Sequence, residues 1–170
     1  MKGKMLSFIS SLSSDSEALV IFVNEKYGYK DKKVVLPKEV GQKVNSYLAG
    51  LKGKKEQEDI TSFDITHKQK CFIIKVKNSY ESYSSQEKGG SFFSHLKRYK
   101  KISKIDLYPD TLDFKSEKLV SFFSQFIFGF NLKSYTFNKY KTLDKEKINK
   151  KISFKIISSY KDKIEKKYKY

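Results

Sequence analysis

The chain has 170 residues and carries 36 Lys and Arg against 19 Asp and Glu, a formal net charge of +17 at pH 7. Its 14 Phe and 12 Tyr supply enough apolar area for a folded core, which excludes wholesale disorder, while 8 Gly and 2 Pro exclude collagen-like and proline-rich classes. The single cysteine, Cys71, excludes an internal disulfide and a thiolate metal site, which is typical of an intracellular protein.

Lysine supplies almost all of the positive charge, because Arg98 is the one arginine in the sequence. Arginine is the preferred side chain for recognising phosphate groups and guanine edges, because its planar guanidinium group donates paired hydrogen bonds. Its scarcity weakens an interpretation of the charge as specific nucleic-acid recognition. We therefore interpret the charge mainly as a solvated lysine surface, with non-specific attraction to polyanions as the alternative.

The sequence predicts no membrane span. Its longest apolar stretch, Leu119 to Phe130, is interrupted by serine and glutamine and falls short of the roughly 20 residues that cross a bilayer. We therefore expect a cytoplasmic protein without a membrane partner.

The first half of the chain predicts three strands and a helix. An apolar segment at 5–9 favours a first strand, and Ala18 to Val23 is a nearly continuous apolar run, typical of a strand buried on both faces. Between Pro37 and Leu51, apolar residues recur at helical steps, which indicates an amphipathic helix. A further buried strand is expected at Cys71 to Val76, followed by a loop at Lys77 to Ser85.

The second half predicts two helices on either side of a strand. Apolar residues keep helical spacing over Gln86 to Lys100 despite the glycines at 89 and 90, which we attribute to helix packing rather than to anion binding. A strand from Ile102 to Leu107 stops at Pro109. A helix capped by Asp113 or Ser116 follows. Its expected core face consists of Leu119, Phe122, Phe123, Phe126, Ile127 and Phe130.

An aromatic loop is expected after this helix. Tyr135, Phe137 and Tyr140 lie beside Lys139 and Lys141, and burial statistics favour packing of these rings onto the core. The alternative is a platform on which the bases of single-stranded nucleic acid stack.

The remaining elements complete an alternating pattern of strands and helices. The charged run Lys141 to Lys151 precedes a strand at Ile152 to Ile157, and a lysine-rich tail follows at Lys161 to Tyr170. Alternating elements of this length predict an α/β layered domain. The short Ser-rich turn between the first two strands allows them to pair antiparallel, which would make the sheet mixed.

Catalytic and metal-binding motifs are not found in the sequence. His67 and His95 lie on different predicted elements without metal-ligand spacing, and the glycines form no phosphate-binding loop. Cys71 lies in an apolar strand, where burial as a small hydrophobe is favoured over nucleophilic chemistry. Lys54 and Lys55 flank the acidic cluster of Glu56, Glu58 and Asp59, so solvated ion pairs explain this cluster better than metal ligation.

A motif with the pattern G-x-x-L-x-x-Y-x-F-x-x-Y-K-T directly follows an apolar helix. Its residues are Gly129, Leu132, Tyr135, Phe137, Tyr140, Lys141 and Thr142. The pattern resembles the end of the N-terminal domain of leucyl (cytosol) aminopeptidases, in which a helix ends at such a glycine and a charged loop and a strand follow. Gly53 in L-K-G-K resembles the family's F-x-G-K, and the glycine pair at 89 and 90 matches a glycine pair in a family helix.

The resemblance implies a macro-domain-like fold, a mixed sheet with helices on both faces, over residues 1–160, with 161–170 starting a linker helix toward a C-terminal catalytic domain. In that family, the catalytic domain binds two divalent metal ions, Mn or Zn, and removes N-terminal amino acids from peptides. Its ligand motif does not occur in this sequence. We therefore expect no catalytic or metal-binding residue here, an inactive domain when isolated, and a role in hexamer assembly and in access to the active sites.

Two rival functions remain open. One is a freestanding macro-domain-like module that binds ADP-ribose or a related nucleotide. The other is nucleic-acid binding through the net positive charge.

Overall fold

The computed structural model describes residues 6–30, 36–54, 58–79, 81–140 and 151–168, and for residues 136–140 it describes the backbone alone. This part of the chain forms six strands and four helices. The strands are β1 (Leu6–Phe8), β2 (Ala18–Val23), β3 (Ile60–Thr66), β4 (Gln69–Lys75), β5 (Lys104–Tyr108) and β6 (Ser153–Ile156). The helices are α1 (Lys38–Leu51), α2 (Ser82–Leu96), α3 (Ser116–Tyr140) and α4 (Lys161–Tyr168), and a single 3₁₀ turn lies at Pro109–Thr111.

The six strands form one mixed sheet in the order β1-β6-β5-β2-β4-β3. Neighbouring strands are parallel except β3 and β4, which form an antiparallel hairpin. The mixed α/β sheet predicted from the sequence is confirmed, but an antiparallel pairing of the first two strands is wrong. β1 instead pairs in parallel with β6 at one edge of the sheet, so the two ends of the described chain meet there.

Helices cover both faces of the sheet because the central strand β2 is apolar at every position. Alternate β2 residues face opposite sides, with Val20 and Phe22 facing a core formed with α2, α3 and α4, and Ile21 facing a second core formed with α1. Phenylalanine dominates the first core. The Phe22 ring lies edge-on to the rings of Phe122 and Phe126, with centroids 5.6 and 5.3 Å away, a favourable geometry for aromatic pairs.

Helices α2 and α3 cross in direct backbone contact through two glycines. A Cβ added at Gly89 would overlap the backbone of Phe126 and Phe130, and one added at Gly129 would overlap the backbone of Gln86. Helix packing is therefore the role of Gly89, as the sequence predicts. Such an approach is possible because glycine has no side chain.

In the middle of the chain, the structure contains one strand that the sequence does not predict and one helix that begins earlier than predicted. Residues 60–66 form the strand β3, which the sequence does not predict because its two buried apolar residues, Ile60 and Ile65, lie on opposite faces of the sheet and do not alternate. Helix α2 begins at Ser82, inside the predicted loop 77–85, where the Glu81 N–H donates a hydrogen bond to Ser84 Oγ at 3.1 Å. This bond satisfies one of the donors at the start of the helix.

The third difference is the expected aromatic loop after the long helix, which is helical. Helix α3 continues without a break through Gly129 to Tyr140. A lone glycine lowers helix stability by about 1 kcal/mol, which the close packing at Gly129 offsets. The helix does not end at this glycine, so the ending implied by the resemblance is wrong.

Candidate functional site

The carboxyl ends of β2 and β5 form the position in this sheet where a ligand is expected. β4 lies on one side of β2 and the later strand β5 lies on the other. The helices that follow β2 and β5 lie on opposite faces of the sheet. In open α/β sheets, ligands bind in the crevice at such a switch point. The crevice is bordered by the segments that follow the two strands.

A tight turn follows β2. Asn24 Oδ1 accepts hydrogen bonds at 2.9 Å from the backbone N–H groups of Lys26 and Gly28, and the Asn24 N–H donates to the Gly28 carbonyl. Tyr27 adopts a left-handed conformation with a φ of 57°, which is uncommon for a residue with a side chain. Its ring is buried, and the Lys75 ammonium lies 5.4 Å from the ring centroid. The turn is thus fixed by its own bonds.

Thr111 joins the two sides of the crevice. Its hydroxyl accepts from the Phe22 N–H at 2.9 Å and donates to the Tyr108 carbonyl at 2.7 Å. The Lys30 N–H donates to the Thr111 carbonyl at 2.7 Å. The segment after β5 is therefore bonded to both β2 and the segment after β2.

Two carboxylates occupy the β5 side of the crevice and both have partners within the chain. Asp110, which is 4% exposed, accepts hydrogen bonds from Ser158 Oγ, Ser159 N and Ser159 Oγ at 2.5, 2.7 and 2.6 Å. Asp113 forms an ion pair with Lys30 at 2.5 Å. Both carboxylates are therefore engaged by groups of the chain itself.

A buried carboxylate lies in the middle of β5, before the crevice, on the face of the sheet that α1 covers. Asp106 is almost completely buried, and its Oδ2 accepts a hydrogen bond from the Ser13 N–H at 2.7 Å. Its strand neighbour in register is Lys155 of β6, whose ammonium contacts Asp15 at 2.7 Å. Burial raises the pKa of Asp106, against the opposing effects of the Ser13 N–H and the Lys155 charge.

Replacing Asp106 by asparagine is expected to stabilise the protein at neutral pH. Because the folded state raises this pKa above its unfolded value, the stability from Asp106 is present at low pH and is lost as the pH rises through the folded pKa. Denaturant unfolding at neutral pH and at about pH 4 measures the free energy of unfolding, and the increase caused by Asp106→Asn should be smaller at the lower pH. Asp64→Asn, at an exposed carboxylate paired with Lys70, is the control and should give no gain. A neutral-pH loss for Asp106→Asn would contradict the prediction.

The residues of the sequence motif lie on α3 and outside the crevice. Gly129 contacts α2, whereas Leu132 and Tyr135 are 53% and 69% exposed. The expectation that these rings pack onto the core is thus wrong for Tyr135, because α3 continues and turns it outward. Phe137 and Tyr140 are helical in backbone, and their side chains, like Lys141 and Thr142, lie outside the described residues.

The other candidate residues are separated from one another. His67 is exposed in the turn between β3 and β4, while His95 is half-buried in α2 with its ring 5.9 Å from that of Phe72. Cys71 is buried in β4, and burial raises the pKa of its thiol, so it packs as a small hydrophobe as predicted. Asp59 contacts the ammonium groups of Lys88 and Lys75 at 2.6 and 3.6 Å, an ion-pair role as expected.

The residues that the structure describes contain neither a group of metal ligands nor a helix that could span a membrane. In those ranges no three or more His, Cys, Asp or Glu side chains are grouped so that they could hold a metal ion. Across the same ranges, none of the helices has the length and apolar character needed to cross a bilayer.

Comparison with known proteins identifies the fold. The chain is similar to a mutant of tomato leucine aminopeptidase, with a TM-score of 0.62 and 14% identity over 95% of this chain and 35% of that one. It is also similar to the macrodomain of Thermus aquaticus DarG, with a TM-score of 0.55 and 12% identity over 91% of this chain and 98% of that one. No protein-family model and no curated protein matches the sequence.

These likenesses establish a mixed α/β, macro-domain-like fold. The chain spans about a third of the aminopeptidase chain, at 35%, and nearly all of the macrodomain, at 98%. The resemblance stated from the motif thus agrees with the structural likeness at the level of the fold.

Proposed function

We propose that this chain is the non-catalytic N-terminal domain of a cytosolic aminopeptidase of the leucyl aminopeptidase type. The observation that carries the proposal is the likeness to the aminopeptidase, which includes 95% of this chain but 35% of that one, so that one domain of a larger enzyme is matched. The order of elements and the motif at Gly129 led to the same family from the sequence alone.

In this proposal the chain contributes no chemistry to peptide hydrolysis. The described residues do not fit a two-metal centre, because none of their carboxylates, imidazoles and thiols are grouped as ligands. The two divalent ions, Mn or Zn, and the residues that use them would belong to a catalytic domain outside this sequence. The role of the chain would be to help assemble a hexamer and to shape access to the active sites.

The crevice at the carboxyl ends of β2 and β5 supports a structural role. Thr111, Asp110 and Asp113 bond to neighbouring segments of the chain itself. Asp110 and Thr111 therefore contribute to the stability of the domain.

An antibody raised against this chain tests the proposal in the source cells. We expect it to precipitate a polypeptide much heavier than 19.9 kDa that releases leucine from leucine p-nitroanilide. A chelator should abolish that activity, and Mn or Zn should restore it. The opposite outcome is a precipitated polypeptide of 19.9 kDa without hydrolytic activity.

The second candidate function is a freestanding macro-domain-like module that binds a nucleotide or nucleic acid. It is favoured by one observation, the match to 98% of a complete macrodomain chain. A 19.9 kDa polypeptide in the experiment above, together with heat released on titration with ADP-ribose, would support this function over the first.

A further inference from the structure

A basic cleft lies at the amino ends of the parallel strands, at the opposite edge of the sheet from the crevice. Its volume is about 640 Å³, and three segments that are distant in the sequence, residues 14–17, 64–70 and 99–102, form its walls. Lys68 and Lys70 come from the β3–β4 hairpin, and Lys100 and Lys101 come from the connection between α2 and β5. The volume lies within the range of about 300–1,000 Å³ that is typical of small-molecule sites.

The carboxylates that line this cleft are already bonded within the chain. Asp15 contacts the ammonium groups of Lys155 and Lys104 at 2.7 and 3.0 Å. Asp64 contacts Lys70 at 2.6 Å. These ion pairs largely neutralise the two aspartates, so that little negative charge is left to attract the remaining lysines.

The third carboxylate of the cleft, that of Glu17, is held by the backbone. Its Oε2 accepts hydrogen bonds from Ser103 N, Ser103 Oγ and Lys104 N at 2.6, 2.9 and 3.0 Å. Three donors on one oxygen stabilise the charged form and fix the carboxylate where β5 begins. It therefore positions the α2–β5 connection that carries Lys100 and Lys101.

Three lysines remain without a charged partner. The side chains of Lys68, Lys100 and Lys101 are exposed and make no ion pair or hydrogen bond within the described ranges. Like charges that share a cleft repel one another and raise the local concentration of anions. The geometry therefore favours a ligand with several negative charges close together.

The aromatic ring in the cleft is not available for stacking with a base. The Tyr99 ring lies 5.3 Å from that of Phe72, the Lys70 ammonium lies 5.1 Å from its centroid, and its hydroxyl is 3.0 Å from Ser62 Oγ. Single-stranded nucleic acid binds to grooves that combine cations with open aromatic faces. This cleft has the cations, but its aromatic ring already packs against groups of the protein. This arrangement favours a compact ligand made mainly of phosphate groups.

We propose that this cleft binds a compact organic polyphosphate, a small scaffold that carries several phosphate groups, through Lys68, Lys100 and Lys101. Lysine suits such a ligand because its ammonium acts as a point charge with three donors and requires no planar partner. The inference is independent of the proposed domain role, since none of these residues lies in the crevice or in the sequence motif.

Isothermal titration with inositol hexakisphosphate tests the proposal on the full chain. We expect saturable binding with one ligand per chain, and the triple variant Lys68→Gln, Lys100→Gln, Lys101→Gln should lose about 10- to 100-fold in affinity. The control triple variant Lys26→Gln, Lys38→Gln, Lys115→Gln removes the same charge from exposed positions near the opposite edge of the sheet. It should lose less than about threefold.

Three outcomes would overturn the proposal. One is that the parent chain shows no saturable binding at physiological salt. Another is that both triple variants lose affinity equally, which would reduce the effect to net charge. The last is that a single-stranded oligonucleotide binds more tightly than the polyphosphate, and that its binding is lost in the triple variant at Lys68, Lys100 and Lys101 but not in the control variant. That result would assign the cleft to nucleic acid.

Discussion

Replacing Gly129 by alanine is expected to destabilise the protein by about 3 kcal/mol or more, although alanine normally stabilises a helix interior. The Cβ of the new residue would overlap the carbonyl oxygen and Cα of Gln86 in α2. Both obstacles are backbone atoms, so no side-chain rotation can relieve the overlap, and the two helices must separate. The same reasoning applies to Gly89→Ala, which meets the backbone of Phe126 and Phe130.

The cost of that separation follows from what lies beneath the crossing. The rings of Phe92 and Phe130, one from each helix, lie 5.9 Å apart, and both are completely buried. Moving the helices apart would loosen these contacts and open space in the core. Urea unfolding of the purified chain measures the loss as a lower midpoint.

Gly41→Ala provides the matched control. Gly41 lies in α1, and a Cβ added there meets no atom within 4 Å. This substitution should therefore stabilise the protein by about 0.5–1 kcal/mol. Equal effects of Gly41→Ala and Gly129→Ala would show that α2 and α3 do not approach through their glycines.

Much of the fold could be predicted from the sequence because its signals are local. The unbroken apolar run of β2 indicates a strand buried on both faces, and the helical spacing in α1 gives its position within a residue of the observed start. The glycine pair at 89 and 90 also predicts close helix packing, and the overlap at Gly89 supports that prediction.

Two failures of the sequence prediction, the end of α3 and the partner of β1, result from contacts between residues that are far apart in the sequence. Gly129 lowers local helix propensity, and its compensation comes from Gln86 on another helix, so the sequence suggested an end where α3 continues. The partner of β1 is β6, which comes from the other end of the described chain. Local periodicity carries no information about either contact.

The candidate sites were harder to predict than the elements. Asp110 sits in a short segment after a strand and has no motif around it, yet it is bonded to Ser158 and Ser159. The lysines of the basic cleft come from two separate segments, so only the fold brings them together. Four of the five residues from Lys97 to Lys101 are cationic, but the net charge of the sequence does not distinguish this run from the rest of the lysine surface.

The second large effect is expected at the strand-end crevice. Replacing Asp110 by alanine should destabilise the protein by about 3 kcal/mol, because a buried carboxylate with three hydrogen bonds is lost and the Ser159 N–H is left without its acceptor. The control is Asp113→Ala, which removes an exposed ion pair with Lys30 and should cost less than about 1 kcal/mol. Urea unfolding of both variants measures the difference.

The result also bears on the function of the crevice. Asp110 connects the end of β5 to the turn that leads into α4, and Ile164 of α4 is buried in the phenylalanine-rich core. If Asp110 holds this connection, its carboxylate is committed to the fold and is not available to a ligand, as the domain role requires. An Asp110→Ala variant as stable as Asp113→Ala would mean that the turn is held without Asp110. That result would contradict the structural role of Asp110.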